Sequence, residues 1–113
     1  MDLYEKLEKL MAELTFSIRK LRGSGEALAA AERNYKLELT KKALELREGG
    51  MAVTLIDTVI FGHPTIADLR FKRDIAKVMY EANIEHINAT KLQLRLIEAQ
   101  ISREWGNAEH IAD

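Results

Sequence analysis

A chain of 113 residues with 47% apolar and 31% charged side chains suits one folded domain with its own core. Seventeen Lys and Arg oppose eighteen Asp and Glu, and the resulting net charge of −1 argues against a dedicated polyanion binder. Cysteine is absent, which excludes disulfides and thiolate metal sites, and no run approaches the ~20 apolar residues of a membrane span, so a cytoplasmic location with no membrane partner is expected.

The opening stretch Met1-Asp2-Leu3-Tyr4-Glu5-Lys6 carries charges every few residues and lacks the apolar centre of a secretory signal. Leu3, Leu7, Leu10, Leu14, Ile18 and Leu21 then recur at helical spacing, with Glu5, Lys6, Glu8, Lys9 and Glu13 on the opposite side. Gly23-Ser24-Gly25 interrupts this helix. Each glycine costs about 1 kcal/mol inside a helix, so the pair predicts a bend or a break, with Ser24 available to cap a new start. Leu28, Ala31, Tyr35, Leu39, Ala43 and Leu46 rebuild the stripe until Gly49-Gly50 stops it.

Thr54 to Phe61 is β-branched enough for a strand, but no other segment offers a partner strand, and Thr54 with Asp57 resembles a capping box, so a short helix is expected. Gly62-His63-Pro64 ends it, and Thr65 with Asp68 opens the longest segment, which Gly106 is expected to stop. The fold class is therefore all-α, a long antiparallel helical hairpin of coiled-coil type with a short connecting helix. The expected organisation is one domain over residues 1–106. It has a helix over 2–48 bent or broken at 23–25, a short helix over 54–61, a long helix over 65–105, and a flexible tail over 107–113.

The long helix has two apolar stripes. Phe71, Ile75, Val78, Ala82, Ala89, Leu92 and Leu96 form one, close to a heptad seam; Tyr80, Ile84, Ile87, Leu94, Ile97, Ile101 and Trp105 form the other. A two-helix hairpin buries only one of them. Seven apolar side chains left in water forgo about 1.5–3 kcal/mol each, so the second stripe is expected to be covered, either by the N-terminal helix or by another copy of the chain. The first stripe is read as the hairpin seam and the second as the interface of a homo-oligomer, a dimer or higher.

Chemistry is harder to find. Glu81, Glu85 and His86 share a helix, but Asn83 stands where a di-iron motif requires Glu, and no second copy of the motif occurs, so no metal is expected. His63 has no nucleophile pattern around it, His110 falls in the tail, and the glycine pairs lack phosphate-loop spacing. No catalytic residue and no cofactor are expected. Lys36, Lys41 and Lys42 approach the same end of the hairpin as Arg70, Arg73 and Lys77, with Tyr35 nearby as a stacking surface. This group is the candidate contact to nucleic acid; the alternative is a solvated rim of ion pairs with Glu38, Glu45 and Asp74.

Several strings are also similar to a known family. Ala31-Glu32-Arg33-Asn34-Tyr35-Lys36, Glu45-Leu46-Arg47-Glu48-Gly49-Gly50, Leu69-Arg70-Phe71-Lys72-Arg73-Asp74-Ile75-Ala76 and the closing stretch from Lys91 to Gly106 resemble an uncharacterised small helical family of phages and prophages of Gram-positive bacteria. That family tends to be encoded among early genes for replication and recombination, so the resemblance implies a setting and no functional residues. The resulting expectation is a non-enzymatic, self-associating interaction or scaffold protein. Its expected role is accessory factor of phage DNA replication or recombination, docking onto a phage or host DNA-metabolism protein. The alternatives are direct nucleic-acid binding through the basic end and inhibition of a host protein or defence complex.

Overall fold

The computed structural model describes residues 2–112, with side chains through residue 107. Helix α1 spans Leu3–Glu48, helix α2 spans Val53–Val59, a 3₁₀ turn covers Ile60–Gly62, and helix α3 spans Pro64–Ala112. The chain is all-α, with α1 and α3 paired antiparallel. The described residues divide into two compact units, one built from Met1–Arg22 and Ala82–Asp113, the other from Gly23–Glu81.

Helix α1 runs unbroken through Gly23-Ser24-Gly25. Neither glycine has a positive φ, and in a helix of 46 residues their cost of about 1 kcal/mol each is absorbed by the cooperativity of the flanking turns. Among the described residues only Gly50 takes a positive φ, 92°, and there α1 ends. The Met51 N–H donates to the Leu46 carbonyl at 3.1 Å and the Gly50 N–H to the Arg47 carbonyl at 3.0 Å, the 6→1 and 5→2 bonds of a Schellman motif. Met51 and Leu46 both pack on the adjoining core, the apolar contact that usually accompanies this motif.

Gly106 does not stop α3, which continues to Ala112 and so replaces the expected tail at 107–113, residue 113 lying outside the described residues. A single glycine at helical φ costs propensity but supplies no cap. The capping boxes expected at Thr54 and Thr65 do not form either. Helix α2 begins one residue earlier, at Val53, with Ala52 as its uncapped N-terminus. Helix α3 begins at Pro64, whose fixed φ suits the first helical position, and the His63 carbonyl accepts the Ala67 N–H at 2.8 Å.

The unit Gly23–Glu81 holds a core of Tyr35, Ile56, Ile60 and Ile66, with Leu39, Ala43, Leu46, Met51 and Leu69 packed on it. Ile66, only 1% exposed, is pinned where α3 starts. Tyr35 takes the Arg73 guanidinium over its ring at 4.7 Å, and Gly25 leaves room for the Tyr80 ring, which would stand 3.5 Å from a Cβ there.

In the other unit α1 contributes Leu3, Leu7, Leu10, Leu14, Ser17 and Leu21, while α3 contributes Asn83, Ile87, Thr90, Leu94, Ile97 and Ile101; all are buried or half-buried. Steps of three and four alternate along both rows, as in a coiled-coil seam. Its polar positions are satisfied: the Asn83 Nδ2 donates to the Ser17 carbonyl at 3.1 Å, and the Thr90 hydroxyl to the His86 carbonyl at 2.8 Å. At one end the Trp105 Nε1 donates to the Tyr4 hydroxyl at 2.9 Å.

Candidate interaction surfaces

The two stripes of α3 exchange roles. Ile87 and Leu94 are buried at 6% and 8% exposure, and Tyr80, Ile84, Ile97 and Ile101 are half-buried. Six of the seven residues expected to face a partner therefore line the chain's own interior, and only Trp105 remains open, at 60%. Conversely, the row expected to be the hairpin seam lies outside. Phe71, Ile75 and Val78 in one unit and Leu92 and Leu96 in the other are all exposed, Phe71 at 63%.

The cause lies in α1. Its seam residues include Ser17, Ser24, Gly25 and Ala31, short side chains that leave space on the facing helix. Bulky, amphipathic or polar residues fill such space: Tyr80 over Gly25, and Asn83 reaching the Ser17 backbone. The uniformly apolar row offers nothing to donate to these positions. The Asn83–Ser17 bond also fixes register, because a slip of one helix along the other would break it.

More apolar surface is left over than the reversal alone accounts for. On α1 the large side chains Tyr4, Met11, Phe16 and Ile18 are at least half exposed in one unit, as is Leu44 in the other. The connecting segment exposes Val53, Leu55, Val59 and Phe61. In the unit containing both chain ends, Leu10, Leu96 and Ile97 line a cleft of about 430 Å³, walled by the stems of Lys6, Lys9, Glu13 and Gln93.

The candidate nucleic-acid group is assembled but largely committed elsewhere. Lys41 pairs with Glu38 at 3.4 Å, Lys42 with Glu45 at 3.4 Å, Arg73 with Asp74 at 2.8 Å, and Lys77 with Glu81 at 4.0 Å. Arg70 lies over the Phe61 ring at 5.2 Å. Tyr35, read from sequence as a stacking platform, is 6% exposed beneath Arg73, so no base reaches its ring. Four of the six cations thus sit in ion pairs, and each exposed pair of this kind stabilises by at most about 1 kcal/mol.

Reactive chemistry finds little footing. Among the described residues no three His, Asp or Glu side chains converge as metal ligands, and His63 stands with Nδ1 buried and unpaired at a small polar cleft lined by Lys41, Lys42, Glu38 and Glu45. Among the described residues no helix is long and apolar enough to cross a membrane. The chain matches no family model, no curated protein and no solved structure.

Proposed function

We propose that this chain is a non-enzymatic helical interaction protein that associates with itself and docks onto another protein, as an accessory factor of phage DNA replication or recombination. The setting rests on the resemblance of its Tyr35, Arg73 and Trp105 regions to the phage family. The interaction role rests on exposed apolar side chains: among the described residues seventeen large hydrophobic side chains stand exposed, against six buried.

That balance is unfavourable for an isolated chain. Unburied Leu, Ile and Phe side chains each forgo about 1.5–3 kcal/mol, and the total stability of a domain is about 5–15 kcal/mol. Association recovers part of this.

Sedimentation equilibrium across a dilution series tests the reading. A mass of at least twice 12.9 kDa, falling toward the monomer on dilution, is the expected outcome. A strict monomer at every concentration removes self-association from the proposal, and failure of any host or phage protein to co-purify removes docking.

A further inference from the structure

We infer that the open face of the unit formed by Met1–Arg22 and Ala82–Asp113 pairs with the same face of a second copy, about a two-fold axis perpendicular to the helices. The inference rests on the self-association proposed above and specifies its surface. On α1 the seam positions are flanked on one side by Tyr4, Met11 and Ile18, each seven residues from the next and each at least half exposed. Helix α1 is thus apolar at three positions of each of its first two heptads, and at two of the third, where Ser17 takes the seam. A two-stranded coiled coil needs only two; the wider face is the pattern of a helix in a four-helix bundle.

The matching row on α3 is Ile84, Lys91, Glu98 and Trp105, again seven apart. The Trp105–Tyr4 hydrogen bond at 2.9 Å shows that the two rows border the same face and sets Tyr4 level with Trp105. Lys91 and Glu98 are both exposed and lie about 10.5 Å apart along one helix, too far to pair with each other. An antiparallel copy of α3 placed on this face brings Lys91 opposite the partner's Glu98, and Glu98 opposite the partner's Lys91.

The same operation brings Ile84 opposite the partner's Trp105. Its axis passes α3 midway between 91 and 98, as many residues from Trp105 as the midpoint of Met11 and Ile18 lies from Tyr4. One axis therefore also sets Met11 against the partner's Ile18. Opposite charges meet, apolar groups meet apolar groups, and the contact is isologous, as a two-fold requires. Moving the axis half a heptad along the helices would place Glu98 against Glu98 of the partner subunit, which disfavours that register.

Equilibrium dissociation constants of the full-length chain and five variants test this, with circular dichroism on each as the check of folding. Lys91→Glu and Glu98→Lys are surface changes, and each is expected to weaken the dimer by roughly tenfold, since each places two like-charge contacts across the axis. The double variant Lys91→Glu/Glu98→Lys is expected to restore it. Met11→Asp is expected to give monomer, while Leu92→Glu, on the outer side of α3, leaves the dimer intact. Losses that add in the double variant overturn the inference, as does dissociation by Leu92→Glu with Met11→Asp inert; in both cases self-association itself stands. A wild-type monomer refutes the underlying reading instead.

Discussion

Replacing Gly23 and Gly25 by alanine should stabilise the protein, because α1 passes straight through both. A Cβ on Gly23 would meet nothing within 4 Å, so that substitution gains only helix propensity, about 0.8–1 kcal/mol. At Gly25 the added methyl would stand 3.5 Å and 3.9 Å from two carbons of the Tyr80 ring, ordinary van der Waals contact. It gains the same propensity and a contact besides. The two positions use different environments, so the gains should add to about 2 kcal/mol, which in a chain of this size raises Tm by roughly 8 °C. Thermal melts followed at 222 nm, at one fixed protein concentration because association shifts Tm, provide the assay. If Gly23→Ala leaves Tm unchanged or lowers it, the helix is not continuous there and the heptad register of α1 across this segment is wrong. A loss at Gly25 alone would mean that the Tyr80 ring cannot accept the methyl.

Gly50→Ala should have the opposite sign, costing about 1 kcal/mol, because a φ of 92° at the end of α1 is open to glycine and strained for alanine; denaturant titration reads the loss. Ile66→Ala, at 1% exposure, should cost about 2–5 kcal/mol through the cavity it leaves beneath Tyr35 and Ile60, and a loss under 1 kcal/mol would place the core elsewhere. Labelled duplex and single-stranded DNA should show no binding with the steep salt dependence of phosphate contacts, because Lys41, Lys42, Arg73 and Lys77 are already paired with carboxylates. A slope corresponding to several released counterions, abolished by Lys36→Ala and Arg70→Ala, would instead support the basic end as a nucleic-acid contact.

The helices and their antiparallel pairing were legible because long runs of Leu, Ala, Glu, Lys and Arg leave few other choices, and Gly49-Gly50 and Pro64 punctuate them at the right places. Which side of α3 turns inward was not legible by counting apolar residues. Phe71, Ile75, Val78, Leu92 and Leu96 form the cleaner stripe, yet Arg73, Asn83 and Thr90 occupy the true seam, where their polar ends find Tyr35 and Asp74, the Ser17 carbonyl and the His86 carbonyl. The available signal was on the other helix: Ser17, Ser24 and Ala31, small residues seven apart, with Gly25 beside them, announce that something bulky or polar fits opposite. The glycines misled in a related way. The propensity cost of Gly23, Gly25 and Gly106 does not by itself end a helix; the end of α1 is made by the left-handed turn at Gly50, the one such turn among the described residues.

The basic end shows why a charge group read from sequence overstates its reach. Lys41 and Lys42 have Glu38 and Glu45 three residues away on the same helix, so each cation is offset before any ligand arrives. Arg73 is drawn inward by its aromatic neighbour, which sequence spacing alone does not reveal.

Trp105 is the sole tryptophan, stands 60% exposed in the single chain, and lies on the face assigned to the second copy, so its fluorescence reports directly on whether that face is covered. At high protein concentration the emission should be blue-shifted and shielded from acrylamide, moving to the red and becoming quenchable as the sample is diluted. Red, fully quenchable emission at every concentration, in a sample that sedimentation shows to be associated, would contradict the assigned face.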